Sequence, residues 1–135
     1  MNHWVICLPR EDLEHCIAIG TIGLGREQTI NKVKKGDSVA CVVTKEKPWK
    51  IIAVGNAGTD YYVDNSPVFK KSGSFIDRFD LSAARLQPET NFFELIDRLD
   101  LITKTEYWSV YFKSGIAKLS DHDWQILSEL VAAPV

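Results

Sequence analysis

Apolar positions along the chain gather into short runs and helical stripes. His3 to Leu8 is a continuous apolar run closed by Pro9, the pattern of a buried strand. Pro9 suits the first turn of a helix, where its missing N–H leaves nothing unpaired. Glu11 and Asp12 place acid where the helix dipole favours it, and Leu13, Cys16 and Ile17 form one apolar face before Gly20. Gly20 to Gly25 reads as a glycine-rich loop, and Ile30 and Val33 are spaced for one face of a short helical stretch. After the turn Lys35-Gly36-Asp37, Ser38 to Thr44 and Lys50 to Asn56 are predicted as an antiparallel hairpin with a longer connection. Gly58 to Gly73 is irregular, and Arg78 to Leu86 alternates as a strand. Thr90 is placed to cap a short helix running through Ile96, and Tyr107 to Phe112 reads as β. Ser120, with Asp123 three residues on, opens a final helix with Trp124, Leu127, Leu130 and Val131 on one face, and the tail from Ala132 to Val135 is expected to fray.

About five strands and three or four helices follow, and they do not alternate. That argues for a mixed α+β domain spanning residues 1–135, with a curved, mostly antiparallel sheet and short flanking helices, and against a doubly wound parallel sheet. A hydrophobic fraction of 45% and a charged fraction of 25% are ordinary for a globular domain of this length. Cys7, Cys16 and Cys41 lack metal-ligand spacing and read as reduced, buried thiols. No stretch approaches the ~20 apolar residues of a membrane span, and Met1 to Trp4 does not open a secretory leader. The expectation is a cytoplasmic protein with no membrane partner.

The formal net charge of -2 is unlike that of proteins that hold nucleic acid by charge alone. The charge is clustered, however. Lysines collect at 32, 34 and 35, at 45, 47 and 50, at 70 and 71 with Arg78, and at 104, 113 and 118, so an anionic ligand has places to land if these share a face.

Nothing frames catalysis. There is no G-x-S-x-G elbow, no G-x-G-x-x-G and no phosphate loop, and His3, His15 and His122 are scattered. Asp60 and Asp64 share one loop without a matched partner. The expectation is a protein that is not an enzyme and needs neither cofactor nor metal. The aromatic residues are more informative. Trp4, Trp49, Tyr61, Tyr62, Phe69, Tyr107, Trp108, Tyr111 and Phe112 form three groups, several in or beside loops. Aromatic faces stack on bases. Tyr62 and Phe69 favour a ligand, whereas Trp108, Phe112 and Trp124 favour packing.

These segments, in this order and spacing, resemble an EVE domain, a relative of YTH and PUA-like modules. The likeness covers nearly the whole chain. It is carried by His3-Trp4-Val5-Ile6-Cys7, Pro9-Arg10-Glu11-Asp12-Leu13, Val33-Lys34-Lys35-Gly36-Asp37, Lys50-Ile51-Ile52-Ala53-Val54-Gly55, and Tyr62-Val63-Asp64-Asn65-Ser66 with Phe69. Asp77-Arg78-Phe79, Tyr107-Trp108-Ser109-Val110, Ser114-Gly115 and Leu119 to Asp123 complete it. The resemblance implies a PUA-like, partly open β-barrel of five to six mostly antiparallel strands. It also implies a pocket for a modified base, which in YTH relatives is N6-methyladenine in an aromatic cage. The implied pocket residues are Trp4, Cys7, Leu8, Asp12, Ile22, Tyr62, Asp64, Phe69, Trp108 and Ser109, with Cys7 and Leu8 offering backbone groups. Lys34, Lys35, Lys70, Lys71, Arg78 and Lys113 would face the phosphate backbone. Ile22 stands where YTH domains and many EVE domains carry a cage tryptophan, so one wall becomes aliphatic.

The functional expectation is therefore a module that binds a modified base in DNA or RNA. Two rivals use the same chain differently. One is a small-molecule binder or enzyme taking a nucleobase or nucleotide in the same cleft. The other is an interaction module, such as a homodimer, with an apolar patch over Trp124 or Trp49.

Overall fold

The structure is a computed structural model that describes residues 1–25, 29–69, 75–103 and 105–132, with backbone only for 105–107. Strand β1 (His3–Pro9) leads into helix α1 (Arg10–Ile19), which ends at Gly20 in the left-handed conformation. Then come β2 (Thr21–Leu24), a 3-10 turn at Thr29–Lys32, and the strands β3 (Ser38–Thr44) and β4 (Lys50–Ala57). A two-residue strand β5 (Tyr62–Val63) precedes the long β6 (Asp77–Asn91). Two 3-10 segments, Phe92–Leu95 and Thr105–Phe112, are followed by β7 (Ile116–Leu119) and helix α2 (Asp121–Ala132).

The strands form one mixed sheet in the order β2-β6-β4-β3-β1-β7, with β5 paired to β6. Among the described residues only β1 and β3 run parallel, from His3 opposite Ser38 to Pro9 opposite Thr44. A parallel pair needs a long crossover, and α1 with β2 supplies it. β6 pairs with β2 and β5 through its first residues and with β4 through the rest, which curls the sheet into a half-barrel. This is the PUA-like fold, with seven strands among the described residues when β5 is counted.

The run at β1 is continuously apolar because both faces of the sheet are covered. Trp4, Ile6 and Leu8 feed one core with Val39, Cys41 and Val43 of β3, against Leu13 and Cys16 of α1 and Phe79 of β6. Val5 and Cys7 point the other way, with Ala40 and Val42, into a second core closed by Phe92, Leu95, Phe112 and Leu127. Alternate residues of the central strands thus serve two cores.

The structure differs from the sequence reading at several elements. Gly20 to Gly25 is a strand rather than a loop: Ile22 pairs with Phe79 and Leu24 with Asp77. Thr90 lies within β6, and the cap of the following 3-10 turn is Asn91, whose side chain accepts the Phe93 N–H. Tyr107 to Phe112 is 3-10, not β. Trp108 and Phe112, four residues apart, pack on the second core while Ser109 and Val110 between them are exposed, a helical rather than alternating spacing. β7, four residues opening after Gly115, was not foreseen.

Candidate functional site

Because β1 and β3 are parallel, both chains leave the sheet at the same end, β1 into α1 and β3 toward β4. A cleft of about 650 Å³ opens there. Its size is within the range of small-ligand pockets, roughly 300–1,000 Å³. Cys7, Leu8 and Pro9 of β1 line it, with Leu24 and Gly25, Thr44 and Lys45, Trp49, Phe75, and the segment from Ser109 and Val110 through Phe112 to Gly115.

Two aromatic side chains from different loops give the cleft its character. Trp49 is half-buried and braced edge-on by Trp108, with ring centroids 4.6 Å apart, and by Phe112 at 6.2 Å. Phe75 meets Phe69 edge-on at 5.3 Å. Phe69 is buried and lies over Gly23, where an added Cβ would stand 2.6 Å from its ring. The glycine in β2 therefore makes room for an aromatic layer behind the cleft.

Arg78 organises that layer. It is 2% exposed, its guanidinium carbon lies 4.9 Å from the Phe69 ring centroid, and every arm is engaged. Nε donates to the Phe75 carbonyl, Nη1 to Ser66 Oγ and Nη2 to the Ser66 carbonyl. Asp64 is 3.6 Å away, and its carboxyl is held below the usual range first by hydrogen bonds from Ser66.

The described non-glycine residues with positive φ are Lys45, at 61°, and Phe75, at 56°, and both line the cleft. Side chains of this size seldom adopt that backbone conformation, and such strain concentrates at functional positions.

The cleft's polar groups are few. Ser109 and Ser114 bring hydroxyls, the latter donating to the Ile116 carbonyl, and Lys45 and Lys113 bring charge. Among the described residues no carboxylate lines it. The neighbouring Glu46 is committed elsewhere: Arg10 forks onto Glu46 and Glu89, and these hydrogen bonds hold both carboxyls below their ordinary range. The Cys7 amide is also spent, donating to the Gly115 carbonyl at 2.8 Å. Burial pushes the Cys7 thiol far up.

Of the residues expected from sequence, Cys7, Leu8, Ser109 and Lys113 line the cleft. Trp108 stands behind it, against Trp49. Phe69 is one layer back, behind Phe75. Trp4 and Ile22 are each 0% exposed in the core, so neither can touch a ligand; the Trp4 indole donates to Asp37. Asp12, on α1, is not among the cleft residues. Tyr62 belongs to β5, where its hydroxyl donates to Asp80, and Asp64 caps the Ser66 amide. Arg78 cannot face a phosphate backbone, because its donors are consumed inside the protein. Lys34 and Lys35 border a separate hollow beside Asn2, at the opposite end of β1 and β3 from the cleft. Lys70 and Lys71 lie outside the described residues.

Trp49, Phe75 and Lys45 are among the cleft residues that sequence reasoning did not assign to the pocket. Trp49 stood among the aromatic groups and Lys45 in one of the lysine clusters, whereas nothing local marked Phe75. Away from the cleft, the Trp124 ring is stacked on His3 at 5.2 Å. Asp100, His122 and Asp123 cluster within 4.8 Å, but both Asp123 oxygens accept backbone amides, of Asp100 and Leu101, and so anchor α2.

The fold is that of the EVE-type, PUA-like domains. It superposes on human THYN1 protein, solved in complex with 5-methylcytosine-containing DNA, with a TM-score of 0.70 at 13% identity over 100% of both chains. It superposes on the Mmi1 YTH domain with a TM-score of 0.60 at 10% identity, covering 96% of this chain and 74% of that one. In sequence it is similar to the UPF0310 protein of Mycolicibacterium vanbaalenii, 22% identical across 99% of this chain and 95% of that protein. It is also similar to a UPF0310 protein of Mesorhizobium japonicum, 27% identical across 82% of this chain and 76% of that protein. No family model matches the sequence.

Proposed function

We propose that this chain binds nucleic acid and takes a single modified base into the cleft beside Trp49 and Phe75. The observation that carries the reading is the cleft itself. The aromatic rings of Trp49, Phe75 and Phe112, aliphatic Leu24 and Val110, and exposed hydroxyls surround a space without a carboxylate among the described residues. Such a surface suits a flat ring whose edge makes a few hydrogen bonds. Removing a base from its stack costs a few kcal/mol, and stacking on an aromatic side chain returns roughly 1–3 kcal/mol. The likeness to human THYN1, solved with 5-methylcytosine DNA, supports the same reading.

The function is binding rather than catalysis. Among the described residues no histidine or carboxylate lines the cleft to act as a base, and the Cys7 thiol, raised by burial, is a poor nucleophile.

The test is a panel of short fluorescent DNA and RNA strands, each with one modified base, at low and moderate salt. A preference for one modification that survives added salt, and is lost in Trp49→Ala, is the expected result. Uniform binding that disappears with salt would overturn it. Stabilisation by free nucleosides alone would move the protein to a small-molecule role.

A further inference from the structure

The connection between β3 and β4 carries two residues that line the cleft, Lys45 and Trp49, and it is tied down at two points. At its far end the Trp49 carbonyl accepts the Phe92 amide at 2.8 Å. At its near end Glu46 is half-buried between the exposed Lys45 and Lys47, and Arg10 donates to both of its carboxylate oxygens. Arg10 opens α1 directly after Pro9, and Pro9 stands opposite Thr44. The exits of the two parallel strands are therefore joined just past the last residues they pair. The same guanidinium is bidentate to Glu89 of β6, from Nη1 at 3.0 Å and Nη2 at 2.9 Å. Three segments distant in sequence meet on one planar fork, a geometry that an ammonium does not supply.

The three side chains are about a third exposed, and ion pairs at that exposure add little stability. What the fork fixes is geometry. Lys45 holds a left-handed backbone, with φ of 61°, a conformation that persists only where its surroundings over-determine it. Glu46 is the next residue, so its carboxylate anchors the chain at that turn and sets the course it takes to Trp49.

We infer that Arg10 is a positioning residue for the cleft. Its fork onto Glu46 and Glu89 holds the β3–β4 connection so that the Trp49 ring forms a wall, while Arg10 itself is not among the residues that line the cleft. The consequence for affinity rests on the base-binding reading above; the consequence for the ring does not.

The experiment uses the full chain labelled with 5-fluorotryptophan. Its four tryptophans each give a fluorine resonance, and that of Trp49 is assigned with Trp49→Phe. Arg10→Gln and Glu46→Gln break the fork. Glu46→Gln keeps the side chain's shape and leaves Arg10 on Glu89, so it carries the test where Arg10→Gln does not fold. Arg85→Gln is the control, because the Arg85–Glu14 pair also ties α1 to β6 but does not reach the connection. The Trp49 resonance should move or broaden in both fork variants and stay in place in the control, with Trp4 and Trp124 unmoved throughout. Affinity for ten-nucleotide single strands carrying one 5-methylcytosine or one N6-methyladenine should fall about tenfold in both fork variants, within the range of one lost base stack. In a Trp49→Ala background the same variants should cost no more than about twofold, because the ring they position is gone.

An unmoved Trp49 resonance in Glu46→Gln overturns the inference. A tenfold loss that persists in the Trp49→Ala background overturns it too, since Arg10 would then act other than through the ring. A resonance that moves while affinity for every strand is unchanged, or while no strand binds, keeps the positioning role and removes the base reading.

Discussion

Arg78 holds Phe75 by its backbone, donating from Nε to the Phe75 carbonyl at 2.8 Å, while its other nitrogens grip Ser66. A buried cation thus fixes one wall of a cleft it does not line. A single ammonium cannot reproduce the three-way fork. Arg78→Lys should lose about 1–3 kcal/mol of stability and should weaken oligonucleotide binding as much as Phe75→Ala does. Urea unfolding and fluorescence anisotropy check this. Full affinity in Arg78→Lys would show that Phe75 does not need the clamp.

Trp49 and Ile22 separate the wall from the core. Trp49→Ala should weaken binding by roughly 1–3 kcal/mol, the value of one base stack. Ile22→Val, at a position 0% exposed, should leave binding unchanged and cost about 0.5–1.5 kcal/mol of stability. The reverse pattern in anisotropy and denaturation would place the ligand elsewhere.

Gly23→Ala tests the aromatic layer from behind. The new Cβ would lie 2.6 Å from the Phe69 ring and 2.9 Å from the Phe75 Cβ. Overpacking of this kind costs about 1–3 kcal/mol. Because Phe75 is pushed as well, affinity should fall with stability, and a double variant with Phe69→Leu should recover part of both.

Asp37 links stability to acid. Burial raises its carboxyl's pKa, but hydrogen bonds from the Trp4 indole and the Lys34 and Asn2 amides outweigh this, and the net position is below the usual range. A carboxyl lower in the folded state than in the unfolded one, near 3.9, stabilises the fold above about pH 4. That contribution disappears as pH falls through the folded value. Urea midpoints should therefore fall below pH 4, and the decline should be shallower in Asp37→Asn, which is already less stable at pH 7. Equal slopes in the two proteins would remove Asp37 from the account.

The thiols should be silent in the native state. Burial pushes Cys16 up to about 11 and Cys41 up to about 12. At pH 8 a thiol reagent should label the folded protein slowly and all three cysteines quickly in urea. Rapid labelling of native Cys7 would mean that the cleft admits the reagent and opens its edge.

β1 and β3 were legible as strands because Trp4 to Leu8 and Val39 to Val43 are apolar without a break. α1, α2 and the β3–β4 hairpin were legible for similar local reasons: a stripe, a cap or a pair of runs. The cleft was not legible in the same way. Trp49, Phe75 and Lys45 come together because β1 and β3 are parallel, and that pairing depends on a crossover whose course no local pattern specifies. Arg78 shows the converse. Grouped in sequence with Lys70 and Lys71, it read as a phosphate contact, and only the Ser66 and Phe75 groups that accept its hydrogen bonds reveal a buried clamp. The glycine in β2 misled for a related reason, since room for Phe69 and loop flexibility leave the same residue in the sequence.

The parallel pair also acts as a ruler. The cleft lies at one end of β1 and β3, Lys34 and Lys35 at the other, and seven residues of strand separate them by about 20 Å. A strand stacked as in a duplex advances by about 3.4 Å per nucleotide, so a stacked strand that engages both ends must continue for roughly six nucleotides past the captured base. Shorter strands reach one end only, and affinity plotted against strand length should rise in a step near that footprint.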